Sequence, residues 1–272
     1  MEELEQLEVK LLLEAVYQLT SYDFREYSSA SITRRIQNRK MIEQFSSITM
    51  LTNAIIHDEQ MRKQLMDDFT IHVTEMFRDP SFFKCLRESV LPNFAHMPSI
   101  KIWHAGCSSG EEVFSMTILL QELGLLDRTT IFATDINEKI LHKATIARFP
   151  LHKMQLYTRN YLASGGTNSF SDYYDTDDSF AYIKPELLQR IHFAQHNLVT
   201  DQSFNEFHII FCRNVLIYFN PALQTKVHQL FFDSLQNGGF LALGNKETLT
   251  FSAKSHRFLN DYAHEHIFQK NV

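Results

Sequence analysis

Hydrophobic positions divide the chain into two parts with different periodicities. In residues 1 to about 70, apolar side chains recur at helical spacing without strand-like alternation, as at Leu4, Leu7, Leu11 and Leu12. Beyond Pro98, short apolar runs alternate with segments of helical spacing. This order predicts a small helical domain followed by a mostly parallel, doubly wound α/β sheet.

The second part contains the predicted strands and helices of that sheet. The strands are expected at 100–102, 130–135, 191–194, 207–212, 240–243 and near 266–268, with helices at 113–123, 137–147 and 221–235 and a turn at 237–239. Between Phe149 and Pro185 the pattern is lost among tyrosines and an acidic run, which favours an inserted antiparallel ribbon. We therefore predict a helical domain at 1–72, a linker with a joining helix at 73–98, and a sheet domain at 99–272 with its insertion at about 150–186.

The first strand ends in the turn WHAGCSSGEEVFSM, Trp103 to Met116. Gly106 and Gly110 allow the backbone to bend, and two serines and two glutamates open the next helix. Ser108 and Ser109 are expected to cap it, with Glu111 and Glu112 in its positive first turn. The turn lacks the G-x-G-x-x-G pattern, and its acids would repel a pyrophosphate but suit a cationic ligand. Glutamates that only complement the helix dipole are the alternative.

Polar residues also follow the other predicted strands. Asp135 ends the second strand, where an acid accepts hydrogen bonds from ribose hydroxyls in nucleotide-binding folds. Asn197 follows the third strand, and Arg213 with Asn214 follows the fourth. These residues are expected at one edge of the sheet.

Composition narrows the class of protein. The chain has 272 residues, of which 44% are hydrophobic and 21% charged, and no apolar run approaches the ~20 residues of a membrane span. Its acidic start predicts no secretion signal, and three cysteines without C-x-x-C spacing predict neither disulfides nor a metal site. These features favour a soluble cytoplasmic protein. A net charge of -6 weighs against nucleic acid as a partner.

A basic cluster lies in the helical domain after Ser28–Ser31, a segment that is expected to supply the N-cap of the helix. It contains Arg34, Arg35 and Arg39. It is either a solvated helix face or a docking surface for an acidic helical partner.

Six motifs together resemble the CheR family of chemotaxis receptor methyltransferases. They are TEMFRDP, WHAGCSSGEEVFS, ATDIN, HNL, FCRNVLIYF and LGNKETL, and the resemblance covers roughly residues 5 to 270. It implies a cytoplasmic enzyme that transfers a methyl group from S-adenosylmethionine to glutamates of receptor signalling helices, leaving S-adenosylhomocysteine. It also implies a class I methyltransferase sheet, a helical amino-terminal domain, a small inserted β-subdomain and a monomer.

By this resemblance, the cofactor contacts fall on ten residues. They are His72, Thr74, Arg78, Glu111, Glu112, Asp135, Asn197, Leu198, Arg213 and Asn214. Which glutamate of the pair meets the methionine ammonium stays open. The chain departs from the usual family pattern at His72 in place of Asn, Ser109 in place of Thr, Val113 in place of Pro, and Asn245-Lys246 in place of His-Ser. His72 would add a pH dependence to its contact.

The implied reaction needs no general base, because a glutamate with a pKa of ~4.3 is already ionised at neutral pH. We expect Arg78 to orient the substrate carboxylate and Tyr218 to line the methyl-transfer channel, the alternative for Tyr218 being a core aromatic. A non-catalytic module that senses S-adenosylmethionine or S-adenosylhomocysteine is the alternative function. The missing glycine fingerprint argues against a dehydrogenase, and the lack of an Asn-Pro-Pro-Tyr type sequence argues against a nucleic-acid methyltransferase.

Overall fold

The computed structural model describes residues 2–20, 22–70, 73–249 and 255–271. They form two units. The first contains the described residues up to Thr70 together with Leu216–Val227, and the second contains the described residues of 73–215 and 228–271. The sequence analysis had assigned Leu216–Val227 to the sheet domain.

The first unit contains four amino-terminal helices around a core of its own. They are α1 (Glu2–Thr20), α2 (Ser29–Ile42), α3 (Ile48–His57) and α4 (Glu59–Phe69). Leu12 is fully buried in this core, whereas Leu4, Leu7 and Leu11 are exposed on the other side of α1. Asp58 separates α3 from α4 because its carboxylate accepts hydrogen bonds from the backbone N–H of Gln60 and Met61 and caps α4. Ser28 occupies the N-cap position of α2, as the sequence analysis expected, but its side chain makes no cap bond.

Leu216–Val227 belongs to the helical unit through backbone pairing. Ser28 N–H donates to the Tyr218 carbonyl at 2.7 Å, and Asn220 N–H donates to the Glu26 carbonyl at 3.0 Å. Tyr27 and Phe219 form an isolated antiparallel bridge, with their rings 5.0 Å apart. These bonds join residues almost two hundred positions apart, so no local pattern could indicate them.

The second unit is built on two sheets. Chain order gives β1 (Ile100–Ala105), β2 (Thr129–Asp135), β3 (Arg148–Pro150), β4 (Tyr174–Thr176), β5 (Phe180–Ile183), β6 (Ile191–Gln195), β7 (Phe207–Cys212), β8 (Leu235–Leu243), β9 (Phe258–Tyr262) and β10 (Ile267–Lys270). The large sheet has the order β6-β2-β1-β7-β8-β10-β9, and its first five strands are parallel. β10 runs antiparallel to both of its neighbours. The predicted fold class is therefore confirmed.

The small sheet lies in the predicted insertion and has the antiparallel order β3-β5-β4. The sequence analysis missed one helix of this insertion, α8 (Met154–Ala163), and it also missed β9. The predicted turn at 237–239 is wrong because these residues lie within β8, where the pairing with β7 shifts register between Phe207 and Ile209. Gly238 accommodates this irregularity with a φ of +76°.

Three other helices complete the description of the second unit. They are α5 (Pro80–Cys85), which continues as a π-helical turn to Val90, α6 (Glu111–Glu122) and α7 (Glu138–Ile146). α6 is buried along almost its whole length, and Trp103 of β1 is fully buried. The last helix, α9 (Pro221–Ser234), begins within the segment that belongs to the helical unit. Within the described ranges, no helix is both long and apolar enough to cross a membrane.

Candidate functional site

The turn between β1 and α6 is held by backbone bonds from the neighbouring strand. Gly106 N–H and Cys107 N–H both donate to the Thr134 carbonyl of β2 at 2.8 Å. Gly106 has a φ of +81°, and a Cβ there would lie 2.5 Å from a methyl carbon of Val215, just beyond β7. Only glycine fits this backbone without strain. The turn thus lies where the carboxyl ends of three neighbouring strands meet.

Gly110, with a φ of +92°, occupies the N-cap position of α6. The predicted capping by Ser108 and Ser109 is corrected here, because the cap falls on a residue without a side chain. Ser109 instead donates its hydroxyl to Glu111 Oε2 at 2.6 Å, and Ser108 donates its backbone N–H to Asp135 Oδ2 at 2.9 Å. The two serines therefore hold the acidic side chains of the site.

Glu111 lies in an enclosed environment. It is 2% exposed, and Oε1 accepts a hydrogen bond from the Tyr157 hydroxyl at 3.4 Å. Burial raises the pKa of Glu111 above its ordinary value, because desolvation of the carboxylate outweighs its hydrogen bond from Ser109. No cation forms an ion pair with Glu111 among the described residues.

Glu112 has the opposite environment, with a donor at each oxygen. Oε1 lies 3.0 Å from His104 Nδ1, and Oε2 lies 3.0 Å from Arg213 Nη1. Burial alone would raise the pKa of Glu112, but the His104 bond and the Arg213 charge outweigh burial and lower it. Because an ionised carboxylate only accepts, His104 Nδ1 carries the proton of this bond. Of the two glutamates, Glu112 is the one whose surroundings favour the ionised form.

Arg213 is enclosed by its own protein partners. Its Nη2 donates to Asp79 Oδ2 at 2.6 Å, and its guanidinium carbon lies 3.8 Å from the centre of the Phe82 ring. The side chain is 1% exposed. A continuous network of hydrogen bonds thus runs from Asp79 through Arg213 and Glu112 to His104. Sequence reasoning missed Asp79 and His104, although TEMFRDP and WHAGC contained them.

Asp135 ends β2 beside the glycine turn. Oδ2 accepts from Ser108 N–H at 2.9 Å and Oδ1 accepts from Asn137 N–H at 3.0 Å. These backbone bonds orient the Asp135 carboxylate at the end of β2.

Asn197 and Leu198 begin the loop after β6. The Asn197 side-chain oxygen accepts from Val199 N–H at 3.0 Å, and its backbone N–H donates to Asp201 Oδ2 at 2.8 Å. The preceding residue, His196, donates its N–H to the Asp135 carbonyl at 3.2 Å. The backbone bond between His196 and Asp135 therefore joins the Asn197 loop to the end of β2.

Asn214 has a left-handed backbone, with a φ of +62°, and its N–H donates to the Glu247 carboxylate. The buried Glu247 carboxylate accepts from the N–H groups of Asn214 at 2.9 Å, Val215 at 2.8 Å and Gly244 at 2.6 Å. Sequence reasoning did not assign Glu247 to the site. The sequence feature that could have indicated Glu247 is its position just after β8, at the same edge of the sheet as the other polar residues.

Thr74 and Arg78 lie in the linker between the helical segment and β1. Thr74 is partly buried, and Arg78 Nη1 donates to the Val73 carbonyl at 3.1 Å. Arg78 lies between two left-handed residues, Phe77 with a φ of +50° and Asp79 with a φ of +58°. Phe77 N–H donates to Ser115 Oγ of α6 at 2.8 Å, which fixes this turn. His72 lies outside the described residues.

Tyr218 and the three predicted docking arginines lie in the helical unit. Arg35 is buried, donates to the Phe69 carbonyl, and has its guanidinium 4.7 Å from the centre of the Tyr218 ring. Burial lowers the pKa of Arg35. Arg39 pairs with Asp68 at 2.6 Å and with Glu43 at 2.9 Å. The predicted docking surface is therefore corrected: Arg35 and Arg39 serve internal contacts, and Arg34 alone of the three is exposed.

Comparison with known proteins gives two family matches. Residues 72–263 match the model described as CheR methyltransferase, SAM binding domain, and residues 7–70 match CheR methyltransferase, all-alpha domain. Cher3 of Pseudomonas putida is 46% identical over 267 residues, which cover 97% of each chain. The chemotaxis protein methyltransferase 1 of Vibrio cholerae is 33% identical over 214 residues, covering 75% of this chain and 76% of its own.

Solved structures of methyltransferases resemble the fold distantly. The plantazolicin methyltransferase BpumL, solved with S-adenosylhomocysteine, is 11% identical with a TM-score of 0.38, over 79% of this chain and 61% of its own. The magnesium protoporphyrin IX methyltransferase of Synechocystis, also solved with S-adenosylhomocysteine, is 15% identical with a TM-score of 0.33, over 64% of this chain and 62% of its own. No argument about function rests on these likenesses.

Proposed function

The chain belongs to the CheR methyltransferase family, and from this we propose that it methylates glutamate side chains of a bacterial chemoreceptor or a related signalling protein. As a member of that family, it is a methyltransferase that uses S-adenosylmethionine. The proposed products are a glutamate methyl ester and S-adenosylhomocysteine. The observation that carries the proposal is that both family domains match in order, along residues 7–70 and 72–263.

The residues at the site fit this cofactor. Glu112 supplies an ionised carboxylate for the ammonium of the methionine part, and burial gives the neighbouring Glu111 a raised pKa. This contrast supports Glu112 as the partner of the ammonium. Asp135 is proposed to accept hydrogen bonds from ribose hydroxyls, since it ends β2 beside the glycine turn and backbone N–H groups orient its carboxylate. Bound S-adenosylmethionine supplies a methyl group on a positively charged sulfur.

The protein's part in the proposed reaction is positioning and exclusion of water. A substrate glutamate with a pKa of ~4.3 is ionised at neutral pH, so no side chain has to remove its proton. Arg78 is suited to hold that carboxylate, because a guanidinium carries five N–H donors and the Val73 carbonyl accepts from Nη1. Correct placement of the two reacting groups then lowers the barrier by removing the need for random encounter.

Two further roles belong to the helical unit. Tyr218 is proposed to line the methyl-transfer channel, which a pair of variants, Tyr218→Phe and Tyr218→Ala, tests: wild-type turnover in both would contradict it. Arg34 is proposed to dock an acidic segment of the substrate protein, since it is the exposed member of the predicted cluster. Higher salt should then weaken substrate binding, and Arg34→Glu should weaken it at low salt.

The deciding experiment combines binding with methyl transfer. Titration calorimetry with S-adenosylhomocysteine should show binding that Asp135→Ala weakens, while NADH should not bind. Purified cytoplasmic fragments of chemoreceptors are then incubated with the protein and S-adenosylmethionine labelled in its methyl group. We expect label that base hydrolysis releases as methanol, and no label where the acceptor glutamate is replaced by glutamine. Base-stable label, or binding without transfer to any receptor fragment, would contradict the proposal.

A further inference from the structure

His104 is a buried histidine of β1 whose ring is packed against the neighbouring strand. It is 1% exposed, and in the parallel pairing of β1 with β7 it lies beside Phe211. The two rings are stacked, with their centres 4.5 Å apart and their planes 8° from parallel. This stack restricts the orientation of the imidazole before any ligand binds.

The imidazole makes one hydrogen bond within the described part of the chain. Its Nδ1 lies 3.0 Å from Glu112 Oε1, whereas Nε2 is buried and has no hydrogen-bond partner among the described residues. A buried polar atom without a partner costs free energy, and an apolar ring in this place would avoid that cost. Packing alone therefore does not require a histidine here, and the bond to Glu112 is what the imidazole adds.

This bond holds the Glu112 carboxylate from its buried side. Arg213, whose side chain is 1% exposed, donates to Oε2 at 3.0 Å, so each carboxylate oxygen has a buried donor. The Glu112 side chain itself is 20% exposed. Donors at both oxygens restrict rotation of the carboxylate, while the side chain stays accessible to a ligand. Binding groups that are fixed in this way by packed neighbours lose little freedom when the ligand arrives.

We propose that His104 is a positioning residue, which holds the Glu112 carboxylate in the orientation that binds the ammonium of the cofactor's methionine part. The inference rests on the proposed placement of that ammonium at Glu112, and it does not depend on which protein accepts the methyl group. Its consequence is selective. The Nδ1–H of His104 contributes to the affinity for ligands that have the ammonium, and it does not contribute to the affinity for ligands that lack it.

Two substitutions separate the hydrogen bond from the ring. His104→Phe keeps an aromatic ring beside Phe211 and removes the donor, whereas His104→Asn removes the ring and keeps an N–H donor as far along the side chain as Nδ1. His104→Leu is a second variant without the donor. His208→Phe is the matched control, because His208 is also buried in the sheet but its Nδ1 accepts from the Lys101 N–H, away from Glu112.

The test measures dissociation constants for S-adenosylhomocysteine by calorimetry, and for methylthioadenosine by displacement of S-adenosylhomocysteine. Methylthioadenosine has the adenosine and the sulfur but no amino-acid end. His104→Phe should weaken S-adenosylhomocysteine about tenfold and change methylthioadenosine less than about twofold. His104→Asn should bind S-adenosylhomocysteine more tightly than His104→Phe, and His208→Phe should match the wild type for both ligands. Circular dichroism and thermal unfolding establish that each variant is folded.

Two results would overturn the proposal. Tighter binding of S-adenosylhomocysteine by His104→Phe than by His104→Asn would show that the ring matters and the donor does not. Equal weakening of both ligands by His104→Phe is the result that a purely structural role predicts. If His104→Phe does not fold, the same comparisons are made with His104→Leu.

Methyl transfer by the wild type is measured separately on receptor fragments. The expected binding pattern without methylation of any fragment would refute the proposed function alone. Methylation of a fragment, together with wild-type affinity of His104→Phe for S-adenosylhomocysteine, would refute this inference alone.

Discussion

Glutamine substitutions at Glu111 and Glu112 should change the stability of the sheet unit with opposite dependence on pH. Burial raises the pKa of Glu111, so its ionisation opposes folding as pH rises through that raised value. The pKa of Glu112 is lowered by His104 and Arg213 against the effect of burial. Its ionised form therefore stabilises the fold above its ordinary value of 4.5, and this contribution is lost as pH falls through the lowered pKa.

The contacts set the expected magnitudes at neutral pH. Glu112→Gln offers one acceptor oxygen to two donors, His104 and Arg213, and removes a charge-assisted bond, which should cost about 2 kcal/mol in the free energy of unfolding. Glu111→Gln keeps an acceptor for Ser109 and relieves the buried charge, which should add about 1 kcal/mol. The cost at Glu112 should disappear below the lowered pKa, whereas the gain at Glu111 should disappear below about pH 4 to 5.

Urea unfolding followed by tryptophan fluorescence provides the assay. Trp103 is the single tryptophan of the chain and is fully buried in β1, so its emission reports on the unit that contains both glutamates. Unfolding free energies are compared between about pH 2 and about pH 8 for the wild type and each variant. Glu186→Gln, an exposed glutamate of the same unit, is the control and should show little change at any pH. Changes of the same sign at both positions, or changes independent of pH, would refute the assigned environments.

Three other predictions concern the site. Gly106→Ala should abolish binding of S-adenosylhomocysteine in calorimetry, because the added Cβ would lie 2.5 Å from a methyl carbon of Val215. Gly124→Ala is the control: its backbone has a similarly strained φ of +65°, but the added Cβ would meet open space, so binding should remain intact. Glu247→Gln should lower the free energy of unfolding by about 2 kcal/mol and weaken binding of the same ligand. Three backbone N–H groups now bond to the two carboxylate oxygens, and glutamine offers only one oxygen. Unchanged affinity would contradict this prediction. Arg78→Ala should reduce turnover on receptor fragments at least about tenfold, and full turnover would exclude its proposed role.

The sequence analysis was most successful where the spacing of apolar residues along a short segment shows which of its faces are buried. The strand Phe207–Cys212 was predicted at its observed bounds, because an uninterrupted apolar run between polar residues is typical of a strand covered on both faces. In α6 the apolar periodicity begins only at Val113, and the two glutamates before it were expected in the first turn, where the structure has them as the first two residues of the helix. The turn at 237–239 was placed wrongly because glycine permits a strand irregularity as well as a reversal.

Pairs that are distant in the chain escaped the analysis for a physical reason. Asp79 and Arg213 are 134 residues apart, and Glu247 reaches Asn214 across 33 residues. Periodicity describes which face of an element is apolar, but it does not specify which polar side chains meet across elements. Arg35 shows the same limit: its helix has a basic pattern that suits a solvated face, yet the carbonyl of Phe69 and the ring of Tyr218 enclose it.

The sequence by itself determined the two-part organisation, the parallel sheet and the edge where the polar residues gather, because hydrophobic spacing dictates which elements form and strand direction dictates where they end. Only the tertiary structure decided how neighbouring glutamates differ. Glu111 and Glu112 are adjacent in the chain and identical in chemistry, but successive helical positions point about 100° apart and so meet different partners. One is buried beside Ser109 and Tyr157, and the other is held between His104 and Arg213.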